Sequence, residues 1–337
     1  MLKTAFEAGE ETLALLGASG CGKSMTLKCI AGVENADRGR IVLNGRTLFD
    51  TERHINLPPQ ERRVGLLFQH YALFPNMSVR QNILCGLMRS TPRAQRNEAL
   101  ETALKTFHLL DVAEHLPGQL SGGQQQRTAL ARILVSRPEI LMLDEPFSAL
   151  DSHLRFQMEE EVRRVIEAFG GTVILVSHNR DEVYRMANRV AVLEDGRIER
   201  IGSREEVFRN PGTVYACMLT GCKNISAVHR MEDGRVYAEE WGIPLSFEFR
   251  EGTEAIGLRM HSILPGPGEN SFRCRIEEVI ENPFSITAML RPADAPDEAK
   301  TIGWEMDKNA WQGKETEEIT VHIPCGAIMQ LKGKKPC

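Results

Sequence analysis

The sequence predicts an α/β domain followed by a smaller all-β domain, and three observations carry that expectation. Short apolar runs at residues 12–16, 140–143 and 172–177 read as strands buried on both faces, with helical stretches between them. A glycine-rich turn, Gly17-Ala18-Ser19-Gly20-Cys21-Gly22-Lys23-Ser24, joins the first run to a helix beginning at Met25. Around residues 211–224 the texture changes to short strand-like pieces split by turns such as Pro265-Gly266-Pro267-Gly268.

The turn is the element around which the rest is organised. Gly17 and Gly22 bracket four residues and are followed at once by Lys23 and Ser24, the spacing of a phosphate-binding loop. Glycines let backbone N–H groups close around a polyphosphate, a lysine brings positive charge to its outer phosphates, and a serine hydroxyl suits Mg²⁺. The strand before and the helix after point a helix N-terminus at the anion.

The chain is long enough, at 337 residues, for two domains, read as 1–215 and 216–337. Its net charge of −5 argues against a general nucleic-acid binder, so no nucleic-acid partner is expected. No apolar run approaches the roughly 18 residues that span a bilayer, and residues 1–7 lack a signal-peptide core, which predicts a cytosolic chain. The cysteines (Cys21, Cys29, Cys85, Cys217, Cys222, Cys274, Cys325, Cys337) show no paired CxxC spacing that would mark a zinc site. Cys21, near Lys23 at a helix N-terminus, is placed where a thiol pKa falls; a tolerated small residue explains it equally well.

Beyond the turn, Arg40-Ile41-Val42-Leu43 before Asn44-Gly45 and the run 63–68 read as strands. Gln69 leaves the second of them and opens an aromatic loop, Tyr71 to Pro75, at a strand end where α/β sheets place working groups. Residues 78 to about 138 are helical: Val79, Ile83, Leu84 and Leu87 share one face, and Leu100, Ala103, Leu104 and Phe107 another. They read as a subdomain inserted into the first domain. It ends in Leu120-Ser121-Gly122-Gly123-Gln124, where Ser121 is a fitting N-cap and the glycines expose N–H groups to an anion.

The run 140–143 then delivers Asp144 and Glu145 before Pro146 stops it. Adjacent carboxylates at a strand end divide two tasks, holding a divalent cation and orienting or deprotonating water. Ser148-Ala149-Leu150-Asp151 follows. On the next helix Glu159 with Arg163, and Glu160 with Arg164, read as i,i+4 pairs on a solvated face. His178 ends the run 172–177 at the same sheet edge as Gln69 and Asp144, which marks it as a γ-phosphate sensor. Residues 191–198, turning at Glu194-Asp195-Gly196, form the last hairpin of the domain. The later histidines, His229, His261 and His322, lack metal-ligand spacing.

Taken together, and in this order, the motifs resemble the ATP-binding subunit of ABC transporters over residues 13 to about 215. The fold implied is a P-loop NTPase core with an inserted helical subdomain and a small all-β, OB-like (TOBE/Mop-type) domain. The resemblance implies that Gly17 to Met25 bind MgATP, that Ser24, Gln69 and Asp144 hold Mg²⁺, and that Glu145 polarises water. It further implies that His178 and Gln69 assist, while Ser121, Gly122, Gly123 and Gln124 reach the γ-phosphate held by a second copy in a head-to-tail dimer.

Within the family, residues 39–45, 56–65 and 68–75 are most similar to the ATPases of molybdate and sulfate importers, which implies import of an oxyanion (molybdate, tungstate or sulfate); the alternatives are an importer ATPase for iron, polyamine or sugar, or a soluble ABC ATPase outside transport. Two transmembrane permease subunits, an extracytoplasmic solute-binding protein and a peripheral place on the cytoplasmic face of the membrane follow from that likeness. Two departures qualify it. Relatives place an aromatic residue against adenine well ahead of the loop, but here only 16 residues precede Gly17, with Phe6 a core residue more than a substitute, so weak discrimination between ATP and GTP is expected. Relatives also carry Arg-Pro-Glu where this chain has Arg259-Met260-His261.

Overall fold

The computed structural model describes residues 1–88, 91–148, 152–311 and 318–333. Of the stretch Ser148 to Asp151, Ala149, Leu150 and Asp151 lie outside the described residues. The chain packs as two compact units, Met1–Ile201 and Gly202–Cys337. Among the described residues, no helix is long and apolar enough to cross a membrane.

The first unit begins with strand β1 (Thr12–Leu16), every residue of it buried, and runs through the glycine-rich turn into helix α1 (Lys23–Ala31). A small antiparallel sheet follows, made of β2 (Arg40–Leu43), β3 (Arg46–Asp50) and β4 (Ile55–Asn56). The chain then enters β5 (Val64–Leu67), a helical stretch of α2 (Val79–Leu84), α3 (Arg93–Thr106) and α4 (Gly122–Leu134), and β6 (Ile140–Asp144). Helix α5 (Ser152–Phe169), β7 (Thr172–Ser177), α6 (Arg180–Met186) and the hairpin β8 (Arg189–Glu194) and β9 (Arg197–Ser203) complete the order. The main sheet is ordered β5-β6-β7-β1-β8-β9, and the four pairs from β5 to β8 are parallel.

Burial on both faces explains the unbroken apolar runs. Leu13, Leu15, Ile140, Met142, Ile174 and Val176 face α1, whose Leu27 fills the same cluster, while the alternate residues Ala14, Leu16, Leu141 and Leu175 are also sealed from solvent. Each fully buried leucine contributes about 1.5–3 kcal/mol relative to exposure. The hairpin turn at Asp195 and Gly196 has both residues at positive φ, 46° and 79°, the left-handed pair that matches strand twist.

Arg62 is a buried guanidinium that secures α1 from below. It donates to the carbonyls of Cys29 and Ile30 at the end of the helix, 2.7 and 2.9 Å, and to Leu57 O and Asn56 Oδ1. The C-cap Gly32 must be glycine here: its φ is 76°, and a Cβ would stand 2.5 Å from Arg62 Nε.

The expected solvated face of α5 is corrected at Glu159. That carboxylate is buried and takes Nε and Nη2 of Arg185 at 2.8 and 2.9 Å, so a tertiary partner replaces the local one. Arg163 bonds Glu160 and Glu167 instead.

The second unit opens with α7 (Arg204–Arg209) and α8 (Val214–Leu219). Ten short strands follow: β10 (Asn224–Arg230), β11 (Val236–Ala238), β12 (Ile243–Leu245), β13 (Ala255–Leu258), β14 (Leu264–Pro265), β15 (Ser271–Glu281), β16 (Ser285–Pro292), β17 (Ile302–Asp307), β18 (Glu318–His322) and β19 (Met329–Leu331). They form two five-stranded sheets, β12-β11-β10-β13-β19 and β14-β18-β15-β16-β17, with every strand pair antiparallel, an arrangement consistent with an OB-like domain. Trp241, Leu258, Cys274, Leu290 and Trp304 are among the residues of its core. The buried Asn224 amide exchanges two hydrogen bonds with the backbone of Gly303, 2.7 and 2.8 Å, and so ties β10 to β17.

Candidate functional site

Parallel register gathers the candidate residues at one edge of the main sheet. Leu67 pairs with Leu143, Asp144 with Val176 and Leu16 with Ser177, so the residues just beyond these strand ends share that edge. They are Gln69, Asp144 with Glu145, Gly17 and His178. An open edge at the carboxyl ends of parallel strands is where α/β proteins bind ligands.

The glycine-rich turn is shaped by its glycines. Gly22, the N-cap of α1, has φ 107°, and a Cβ at Gly17 would lie 2.6 Å from the carbonyl oxygen of Leu193. Ala18, Ser19 and Gly20 form an exposed rim. Lys23 is buried beneath it, its Nζ donating to Gly17 O at 2.7 Å and Ala18 O at 2.8 Å, with Cys21 Sγ at 3.9 Å. The ammonium is thus folded back onto the loop, a short swing from an incoming anion. Met25, in the first turn of α1, is exposed, whereas Cys21 is buried. Phe6 packs against the core cluster around Leu13 and Leu27.

Ser24 and Asp144 meet across the edge: the hydroxyl donates to Asp144 Oδ1 at 2.7 Å. Burial pushes the Asp144 carboxyl above its ordinary range, the Ser24 bond opposes that, and the neighbouring Glu145 adds to it. A hydroxyl and a carboxylate at this spacing are hard oxygen donors suited to Mg²⁺, which keeps several waters and takes its remaining ligands from substrate phosphates. No cluster of three or more His, Cys, Asp or Glu able to hold a metal occurs among the described residues.

Glu145 continues the sheet by one bond, its N–H donating to Val176 O at 3.0 Å, yet its φ is 45°. A non-glycine residue in that region stores about 1–3 kcal/mol of strain, and such strain gathers at functional sites. The twist aims the carboxylate at His178, whose Nδ1 lies 3.2 Å from Glu145 Oε1. His178 is more than half exposed at its side chain, while Glu145 is largely enclosed. Ser148 closes the turn below, its hydroxyl donating to Glu145 O at 2.9 Å.

Gln69 is exposed in the turn after β5. The loop it opens is less open than its composition suggests. Tyr71 is buried, and only Phe74 of its large aromatics stays about half exposed. Tyr71 and Ala72 have positive φ, 58° and 45°, and Arg132 of α4 holds both their carbonyls, at 3.0 and 2.8 Å, while its guanidinium sits 5.4 Å over the Phe74 ring. Nothing local in the sequence marks Arg132 for this; 60 residues separate it from Ala72.

Ser121, Gly122, Gly123 and Gln124 are assembled separately, at the start of α4. Ser121 Oγ accepts from Gln124 N at 3.3 Å and Gln124 Oε1 from Ser121 N at 2.9 Å, a reciprocal capping box. The N–H groups of Gly122 and Gly123 lie outside the two bonds of this box, at a helix end of the kind that meets anions.

A family model described as "ABC transporter" matches residues 2–148. The spermidine/putrescine import ATP-binding protein PotA of Oleidesulfovibrio alaskensis is 36% identical over 304 residues, 86% of this chain and 80% of that protein. The PotA protein of Bacillus thuringiensis is 41% identical, covering 93% of this chain and 91% of its own. The sulfate/thiosulfate import ATP-binding protein CysA of Methylococcus capsulatus is 43% identical, covering 77% and 74%. Among solved structures, a dimeric ATP-binding cassette in a post-hydrolysis state, bound to ADP and Pi, is similar at TM-score 0.50 and 29% identity over 59% of this chain and 88% of its own. The cbiO1 protein of Clostridium perfringens, part of the ABC transporter complex cbiONQ, is similar at TM-score 0.52 and 27% identity over 59% and 80%.

Proposed function

The chain belongs to the ABC transporter family as an ATP-binding, ATP-hydrolysing subunit, and on that premise we propose how its sheet edge does the work and what the work moves. The observation that carries the reading is the shared edge of Gly17, Asp144, Glu145 and His178, with Ser24 already bonded to Asp144.

In this reading Gly17, Ala18, Ser19, Gly20, Cys21 and Gly22 wrap the phosphates with backbone N–H groups, and Lys23 leaves its loop carbonyls for the β and γ oxygens. Ser24 and Asp144 would hold Mg²⁺, with Gln69 beside it, and a cation bound there would supply charge neutralisation for the phosphates. Glu145 polarises the attacking water and His178 keeps water and γ-phosphate in line, each steadied by the contact between them. Little covalent chemistry is asked of the protein, because phosphoryl transfer is mainly positioning and charge stabilisation.

Ser121, Gly122, Gly123 and Gln124 serve the nucleotide of a second copy. Their separate position at the start of α4, and the dimeric cassette similar to this one, support a head-to-tail pair. The exposed Gln69 and Phe74, on a loop clamped by Arg132, suit a surface that reports nucleotide state to two membrane permease subunits, with the ATPase peripheral on the cytoplasmic side.

The cargo belongs to the import class. An oxyanion such as sulfate or molybdate is supported by the likeness to the sulfate/thiosulfate import protein. A second reading, a polyamine cargo, is favoured by the two PotA relatives, whose alignments cover more of this chain. Reconstitution with the cognate permease and binding protein tests both: stimulation of MgATP turnover by loaded binding protein identifies the solute. Undiminished uptake and turnover in Lys23→Ala would end the whole reading.

A further inference from the structure

The His178 side chain is more than half exposed and meets Glu145, yet its backbone is held hard from behind. Ser177, the last residue of β7 and almost wholly buried, receives the N–H of Asn179 on its Oγ at 2.9 Å, a bridge that spans His178. The same hydroxyl donates to Oε2 of Glu182 at 2.7 Å. Glu182 is itself only 5% exposed, in the first turn of α6, and its backbone N–H is drawn towards the Asn179 side chain that caps this helix. Its other oxygen lies 3.9 Å from Arg155 Nε. The carboxylate therefore fixes which way the Ser177 hydroxyl points, and the hydroxyl fixes the turn that carries the imidazole.

We propose that Glu182 is a positioning residue for His178, acting through the Ser177 hydroxyl to hold the imidazole at Glu145 during ATP hydrolysis. A buried carboxylate is costly to keep, and a plain helix cap would not need one: Asn179 already accepts the N–H of Asp181 at 2.9 Å. Holding a group within a fraction of an ångström is worth having here, since a misplacement of about 1 Å costs on the order of a hundredfold in rate.

The inference rests on the role given to His178, and a double-mutant cycle on the full-length protein separates the two. MgATP turnover under single-turnover conditions, KM and melting temperature are measured for His178→Ala, Glu182→Ala, Glu182→Gln, Ser177→Ala and the pair His178→Ala/Glu182→Ala. Expected are a fall in rate of about ten- to a hundredfold for Glu182→Ala with KM within about twofold, and recovery of most of it in Glu182→Gln, whose amide oxygen still accepts from Ser177. The loss should vanish in the His178→Ala background, because a residue that acts only through another has nothing left to position. Ser177→Ala carries the same arm if Glu182→Ala fails to fold. A His178→Ala variant at wild-type rate would take down the role of His178 and this proposal with it. An inactive His178→Ala beside a fully active Glu182→Ala, or a Glu182 loss that persists undiminished in the double variant, would overturn this proposal alone.

Discussion

Nδ1 of His178 and Oε1 of Glu145 lie 3.2 Å apart, at the ends of neighbouring parallel strands. The pair is assembled by strand register and by the left-handed backbone at Glu145, so the contact between the two side chains is part of the fold.

Removing the charge from Glu145 should separate binding from chemistry. Glu145→Gln keeps the side-chain shape and an acceptor for His178 but is a poor base, so turnover should fall by about 10²–10⁴ while ATP affinity holds. Equilibrium nucleotide binding beside steady-state phosphate release checks this, and a closed dimer trapped with ATP should appear by size-exclusion chromatography.

Lys23→Ala should act on the opposite side of that division. Charge-assisted bonds to phosphate contribute about 1.5–3 kcal/mol each, so affinity for MgATP should weaken by about tenfold to more than a hundredfold. Titration calorimetry with a non-hydrolysable analogue reads it directly. The melting temperature should fall by a few degrees as well, since Lys23 is buried and its loss leaves Gly17 O without its donor at a cost of about 1–3 kcal/mol.

Asp144 gives a prediction whose sign runs against intuition. Burial raises its folded-state pKa, so the folded chain holds its proton more tightly than the unfolded chain does. Its contribution to stability is therefore greatest below the ordinary carboxylate pKa and is lost as pH rises through the raised value. At neutral pH, Asp144→Asn should melt higher than the parent without nucleotide, because a buried charge is gone and Oδ1 still accepts from Ser24. It should also lose Mg²⁺-dependent hydrolysis. Scanning calorimetry across pH, with and without MgATP, tests both halves.

Arg132→Ala should uncouple the loop from the sheet edge. It removes donors to Tyr71 O and Ala72 O and the cover over Phe74, leaving two left-handed residues without their clamp. Turnover of the isolated ATPase should stay within about threefold, whereas stimulation by the reconstituted permease should drop at least about tenfold. Equal losses in both assays would refute that division.

Most of the nucleotide edge is legible in the chain because its determinants are local. A run such as 140–143 must be a doubly covered strand, and whatever follows it must emerge at the sheet's edge; Asp144, Glu145 and His178 are found that way. What stays hidden is set by distant partners. Glu159 has the spacing of a surface ion pair, but α6 supplies Arg185 26 residues away and buries it. Tyr71 reads as an exposed loop aromatic until Arg132 folds over its carbonyl. Ser177 and Glu182 look like a strand end and an ordinary first-turn acid, and only the packed structure joins them.

The left-handed backbone at Glu145 carries an evolutionary consequence. Asn or Gly would sit in that conformation more comfortably, so a library screened only for heat resistance should drift towards them at this position and yield robust proteins that no longer burn ATP. Ancestral or consensus designs of this chain should hold position 145 constant and look for their extra degrees elsewhere.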